Sequence, residues 1–341
     1  MSVPEPRANP TLLGHETAEA VLAEAMRSSR MHHAWLITGP EGIGKATLAF
    51  RFARRLFAGP PEGTSLAVDP KDPVFRRVAS GAHADLFTVA RAWDEKRKRQ
   101  RTEIVVDDVR KVTDFLRRTP AEGGWRVVIV DGAEELNRNA ANALLKVLEE
   151  PPARAVLVLT CAAPGRLLPT IRSRCRRLRL APIPDTAMET LLATYLPDLD
   201  TDARSRLVTL AEGSPGRALL LAAEEGLALS ELVDQVLGAL PLLPASRAHA
   251  LADTLARNDG GFSTFMDLLR AAISSALGDV LRGRADPEQE RLVSLLSLDA
   301  WGETWHALTR LQNETERFSL DKRQAVIASL DMLRPSGPPS P

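Results

Sequence analysis

Apolar positions along this chain fall into two patterns. In the first half they form short, nearly uninterrupted runs, AWLIT at 34–38, LFTVA at 86–90, RVVIV at 126–130 and AVLVLT at 155–160, and a final short strand is expected at 176–180. Runs of this length predict strands buried on both faces. Val127, Val128, Ile129 and Val130, all β-branched, give the third run the highest intrinsic strand preference. Between the runs, residues 45–57, 106–118 and 139–150 carry helical periodicity. Asp107 and Asp108 suit the first turn of the second helix, and Pro151 with Pro152 stops the third. Continuous apolar strands alternating with helices predict a parallel sheet covered on both sides. Residues 58–84, dense in Gly, Pro and Ser, break the pattern and read as an insertion or long loop.

After Pro182-Ile183-Pro184 the strand-like runs cease. Helical spacing at 187–196, 203–210 and 217–240 predicts a small helical unit, and LPLLP at 240–244 a second linker. Further amphipathic helices are expected over 247–333, and a disordered tail at 335–341. The predicted organisation is therefore an α/β domain at 1–181, a small helical domain at 182–240 and an all-α domain at 241–334, consistent with a length of 341 residues.

Composition narrows the function classes. The 44 basic and 44 acidic side chains cancel, which argues against an all-over nucleic-acid binder. One local exception is KRKRQR at Lys96–Arg101, beside Trp93. Its ordinary reading is a solvated loop tip, and a phosphate contact is the alternative. Cys161 and Cys175 are too few for a disulfide framework or a four-cysteine zinc site. No apolar run is long enough to span a bilayer and residues 1–10 lack the apolar core of a signal peptide, so a cytoplasmic protein is expected.

The candidate chemistry begins at Gly39-Pro40-Glu41-Gly42-Ile43-Gly44-Lys45, which has the spacing of a phosphate-binding loop between a strand and a helix. Gly39, Gly42 and Gly44 let backbone N–H groups turn inward, the next helix aims its positive end at the phosphates, and Lys45 supplies a point charge. A Gly-rich turn with a surface lysine is the plainer alternative. Position 46 is Ala where a hydrolysing enzyme has a Ser or Thr on Mg²⁺, and Thr47, one residue on, points about 100° away on a helix. Both argue against metal ligation through the loop. Asp131, at the end of the 126–130 strand, is placed to hold Mg²⁺ through water. The next residue is Gly132, not the Glu that would orient a water, and Glu134 and Glu135 read as helix-start carboxylates. The chain has parts for binding a nucleotide, ATP being possible, and no evident general base.

Further on, NAANALLKVLEEPP at 139–152 and LPTIRSRC at 168–175 resemble the signatures of bacterial clamp-loader AAA+ subunits, the second being their SRC motif. Leu13-Gly14-His15, His33-Ala34 and Ser214-Pro215-Gly216-Arg217 fit the same family, and the resemblance runs over about residues 9–220. Ala46 and Gly132 resemble the family's non-motor subunit more than the subunit that hydrolyses ATP. The resemblance implies an AAA+ P-loop domain, a helical lid and a helical collar. It implies a five-subunit clamp loader with motor (gamma/tau) and delta subunits as partners, acting on a sliding clamp and primer–template DNA. It further implies Arg174 as an arginine finger for a neighbour's ATP site, Arg217 as the lid's sensor-2 arginine and Thr160 at the sensor-1 position. For Arg174 the plainer reading is a cap on a helix C-terminus, and for Arg217 an exposed first-turn residue. Many subunits of this type carry a four-cysteine zinc module after the P-loop helix; the stretch 58–85 has no cysteine here, so no zinc is expected. Two rival functions stay open: a self-sufficient ATPase using Asp131 and Glu134, and a DNA-binding module working through Lys96–Arg101.

Overall fold

Strand side chains alternate between two apolar layers, and that alternation builds the first half of the chain. In the computed structural model, which describes residues 3–28, 31–95, 98–122, 124–257 and 260–334, the strands are β1 (Ala34–Thr38), β2 (Leu86–Val89), β3 (Trp93–Asp94), β4 (Arg99–Gln100), β5 (Arg126–Val130), β6 (Ala155–Cys161) and β7 (Arg176–Arg179). Five of them form one all-parallel sheet in the order β2-β5-β6-β1-β7. The helices are α1 (Glu16–Arg27), α2 (Lys45–Ala58), α3 (Pro73–Ala79), α4 (Val106–Arg117), α5 (Arg138–Glu149), α6 (Pro169–Arg174), α7 (Asp185–Tyr195), α8 (Thr201–Ala211) and α9 (Pro215–Ala223), then α10 (Gly226–Ala239), α11 (Ala245–Arg257), α12 (Gly261–Leu281), α13 (Pro287–Ser294), α14 (Leu298–Phe318) and α15 (Lys322–Met332).

One face of the sheet, with Ala34, Leu36, Val128, Val130, Leu157 and Leu159, packs on α4, α5 and α6 through residues such as Val112, Leu144 and Ile171. The other, with Trp35, Ile37, Val127, Ile129, Val156 and Val158, packs on α1 and α2 through Leu22, Leu48 and Phe52. β1, β5 and β6 are buried on both faces as expected, whereas the edge strands β2 and β7, expected to be buried too, are largely not. The expected strands and the P-loop helix are found within a residue or so of their expected ends.

Three details need amending. Residues 58–84 are not structureless: α3 starts there, with Asp72 accepting from the Val74 N–H at 2.7 Å and Pro73 at the first helical position. The Asp-Pro start signal was overshadowed by the surrounding Gly and Pro. The 217–240 stretch is helical as expected, with a break the pattern did not mark. It divides into α9 and α10 at Glu225, whose φ is +54°, while a Cβ on Gly226 would lie 2.7–2.8 Å from Leu221. The chain also carries α1, which the strand-centred pattern did not mark; Leu22 and Ala23 on it are fully buried.

The chain packs as two units, Met1–Ala218 and Leu219–Pro341, and the division falls inside α9. From Asp185 onward no strand is found among the described residues. In the second unit, Trp301 is fully buried with its Nε1–H donating to Val293 O at 3.1 Å, and Arg291 donates to the carbonyls of Leu237, Gly238 and Leu240 that end α10. The expected tail at 335–341 and the residues Lys96 and Arg97 lie outside the described residues.

In the first unit the P-loop helix is held by a buried ion pair, Arg51 on α2 with Glu19 on α1, their side chains 9% and 7% exposed. Glu19 also accepts from the Leu66 N–H at 3.2 Å, and Arg51 donates to Pro10 O. Glu19→Ala strands the Arg51 guanidinium in a dry site. It is expected to lower the unfolding free energy by about 3–5 kcal/mol in urea titrations, against under about 1 kcal/mol for an exposed pair.

Candidate functional site

All five parallel strands end on one edge of the sheet, and the site is assembled from the segments that leave that edge. After β1 the backbone turns through Gly39, Gly42 and Gly44, with φ of +154°, +71° and +105°. The last two values lie in the left-handed region where glycine is favoured. The loop is tied down from several sides. Its first amide, Gly39, donates to Cys161 O at 3.3 Å, and His15 Nε2, on a buried side chain, donates to Ile43 O at 2.7 Å. Lys45 folds back so that Nζ donates to Gly39 O at 2.9 Å and to Pro40 O at 2.6 Å. Burial lowers the Lys45 pKa, and the carboxylates of Glu134, Glu41 and Asp131 pull it back up. Gly44 caps α2 without a side-chain hydrogen bond, so no side chain blocks the positive end of that helix.

Asp131 comes directly after β5. Its Oδ1 accepts from the Thr160 hydroxyl at 2.6 Å, and the same Thr160 oxygen accepts from the Gly132 N–H at 3.0 Å. The strand-end Asp and the strand-end Thr named from the sequence therefore meet across β5 and β6. Glu134 Oε1 accepts from the Ala162 N–H at 2.6 Å, its carboxylate also lies against the Cys161 thiol, and its Oε2 is buried. Glu135 pairs with Arg91 at 2.8 Å, yet burial pushes its pKa up to about 7, opposed by Arg91 and reinforced by Glu134, Asp131 and Glu41. A Cβ at Gly132 would come within 2.8 Å of Glu135 Oε2, so even a small side chain at this position, where a hydrolysing enzyme has Glu, requires Glu135 to move.

These residues bring positive charge and backbone donors to the start of α2. A lysine, three loop glycines and an uncapped helix start converge, with Thr47 one residue along α2 from the alanine at position 46. Ala46 offers no hydroxyl, and Asp131 Oδ1 is engaged by Thr160. Among the described residues, no group of three or more His, Cys, Asp or Glu side chains is placed to hold a metal ion. Burial drives the thiols of Cys161 and Cys175 up to about 12, so both are protonated at neutral pH.

The sequence reading missed how the loop is roofed. Ser214, only 4% exposed, donates from Oγ to Glu41 O at 2.7 Å, and the Gly216 N–H donates to Gly42 O at 2.8 Å. A Cβ on Gly216 would lie 2.6 Å from Gly42 Cα, and one on Gly42 would lie 2.7 Å from Ser214 Oγ and 2.8 Å from Arg217 N. Two backbones thus touch where only paired glycines fit. The signal was available in the Ser-Pro-Gly-Arg segment, but its packing partner was not. The Arg217 guanidinium pairs with Glu212 at 3.5 Å, and its backbone N–H faces Ser214 Oγ at 3.5 Å.

Arg174 ends α6. Its Nη2 meets Glu149 Oε1 at 2.7 Å, its Nη1 donates to Thr170 O at 3.0 Å, and its side chain is 35% exposed. Arg174 thus bonds a carbonyl of its own helix as well as Glu149. Glu149 belongs to the 139–152 signature, so the two signature motifs are joined by an ion pair.

This chain matches the family described as "DNA polymerase III, delta subunit" over residues 14–184, half of its length. The chain belongs to that DNA polymerase III delta-subunit family. It is 41% identical over 184 residues to the Pseudomonas aeruginosa protein named DNA polymerase III subunit delta', covering 54% of this chain and 53% of that protein. To the Escherichia coli protein of the same name it is 38% identical over 200 residues, covering 59% and 57%. The chain thus spans little more than half the length of these curated relatives. A solved gamma subunit-related protein from Thermotoga maritima is 19% identical, with a TM-score of 0.45 over 94% of this chain and 98% of that one. The family match takes in Lys45, Asp131, Thr160 and Arg174, and stops before Ser214 and Arg217. Among the described residues no helix is long and apolar enough to cross a membrane.

Gly42→Ala forces a side chain into the left-handed region and against the Ser214–Arg217 backbone. A loss of about 1–3 kcal/mol is expected by thermal denaturation, larger than for Gly63→Ala, where the space is open. Glu135 gives a pH signature. Its folded pKa of about 7 lies above the ordinary 4.5, so its contribution to stability is full below about 4.5 and falls as the pH rises through about 7. Relative to wild type, Glu135→Gln should gain on the order of 1 kcal/mol between pH 5 and pH 8, as read from paired melting curves.

Proposed function

We propose that this chain is the delta prime subunit of the DNA polymerase III clamp loader, helping to load a sliding clamp onto primed DNA. In this reading it assembles with motor (gamma/tau) and delta subunits and lends Arg174 to the ATP site of a neighbouring motor. The observation that carries it is the division of labour between the two ends of the α/β domain. The chain's own loop has a lysine and a helix start suited to phosphates, but no hydroxyl at Ala46 and no carboxylate at Gly132. The partly exposed guanidinium of Arg174 sits at the end of α6.

ATP, when held here, would lie against Gly39–Thr47, with Lys45 turning from the Gly39 and Pro40 carbonyls toward the outer phosphates and Asp131 and Thr160 closing the far side. Arg217 would reach it from α9 only after leaving Glu212. Binding without turnover is the expected state, because Glu134 already accepts a hydrogen bond from Ala162 N–H and Asp131 one from Thr160. The same engagements weigh against a self-sufficient ATPase. A collar role for the helices of 241–334 and contact with primer–template DNA belong to the proposal as well.

Trans fingers in nucleotide hydrolases are worth about 10³–10⁵ in rate at the site they serve. A ring contains several sites and this chain serves one. Arg174→Ala in the reconstituted complex should therefore lower ATPase activity, stimulated by clamp and primed DNA, by the share of that one site, less than about twofold for sites that turn over independently, while gel filtration shows the complex intact. Unchanged turnover in an intact complex would rule out the finger role.

A further inference from the structure

The Arg174–Glu149 pair poses a question of purpose. Glu149 is the last residue of α5 and its side chain is 50% exposed, while Arg174 is 35% exposed at the last turn of α6. A solvated pair of this kind contributes little to folding. Geometry gives it another use. A long arginine side chain samples many rotamers and loses that freedom whenever it must present its plane in one orientation. Here the plane is fixed at two corners: Nη2 on Glu149 Oε1 at 2.7 Å and Nη1 on Thr170 O at 3.0 Å. The guanidinium carries five N–H donors, so most of them stay free for an outside acceptor. The two anchors come from different helices, and α5 and α6 pack on the same sheet face through Leu144, Leu148 and Ile171. The anchors are thus rigid relative to each other.

We infer that Glu149 is a positioning residue that presents the Arg174 guanidinium, preorganised, to a phosphate outside this chain. The inference rests on the proposed trans role of Arg174. It also gives a physical reason why the LEEPP and SRC segments occur together: one supplies the carboxylate that aims the cation supplied by the other. The carboxylate does not touch the nucleotide in this account. It acts through Arg174, so its loss is felt in turnover rather than in nucleotide affinity.

The test is a double-mutant cycle in the reconstituted complex with motor and delta subunits, read as kcat and KM for ATP with clamp and primed DNA. Glu149→Ala is expected to lower kcat by up to the same factor as Arg174→Ala, with KM and melting temperature unchanged, and Glu149→Gln, which keeps an acceptor oxygen, to recover much of the loss. Arg174→Ala/Glu149→Ala should turn over no more slowly than Arg174→Ala alone. Glu150→Ala, altering the next residue, whose backbone N–H closes α5 on Lys146 O, serves as a control and should match wild type. If Arg174→Ala lowers kcat while Glu149→Ala does not, the positioning role is overturned and the finger stands. Additive losses, or a Glu149→Ala defect explained by a fallen melting temperature, overturn it too. If Arg174→Ala itself changes nothing, both the finger and its positioning fail together.

Discussion

The site depends on one constraint: β1 is hydrogen-bonded on both sides, to β6 and to β7, and its residues 34–37 are entirely buried. With its strand fixed, the phosphate loop has no freedom in where it starts. Because every pairing in the five-stranded sheet is parallel, Thr38, Val89, Val130 and Cys161 all end at the same edge. Lys45, Asp131 and Thr160 come together for that reason, though 86 and 29 positions separate the successive pairs of them along the chain. The edge is also where charge accumulates. Three carboxylates, Glu41, Asp131 and Glu134, act on the half-buried ammonium of Lys45, and a fourth, Glu135, is driven toward neutrality by its burial. An added anion would meet the lysine and the start of α2; an added proton would meet Glu135 first.

Much of this was legible before any coordinates. Uninterrupted apolar runs define the buried strands because parallel strands must be apolar on both faces, and the runs at 34–38 and 126–130 coincide with β1 and β5. The loop glycines and Lys45 are readable because their chemistry imposes fixed spacing. The 58–84 segment was misread because Gly and Pro raise the expectation of a loop even where Asp72-Pro73 is a sound helix start. The break at Glu225 was hidden because nothing about a glutamate announces a left-handed backbone. The roof formed by Ser214 and Gly216 and the pairing of Glu149 with Arg174 are tertiary facts. Each joins residues distant in the chain, and single-sequence patterns carry no information about which exposed carboxylate meets which guanidinium.

The two ends of the α/β domain differ in how far they are already satisfied. The strand-end edge is closed on itself: Lys45 on its own loop carbonyls, Asp131 on Thr160, Glu134 on a backbone amide, and Gly42 against Gly216. Opening any of these to rearrange around a hydrolysing water requires breaking a hydrogen bond already made in a half-buried setting, where each is worth more than in water. Arg174 is different. It is anchored at two points and still a third exposed, so it can meet an acceptor from outside without any rearrangement of the fold. Under the proposed function, the loop that is already satisfied and the outward guanidinium of Arg174 together fit a domain that completes a neighbour's site.

That central claim is tested most directly by measuring ATP turnover for the purified chain alone and again after mixing with motor and delta subunits. The account predicts no turnover above background for the lone chain and activity that emerges only on assembly. Brisk hydrolysis by the isolated chain, abolished by Lys45→Ala, would contradict it.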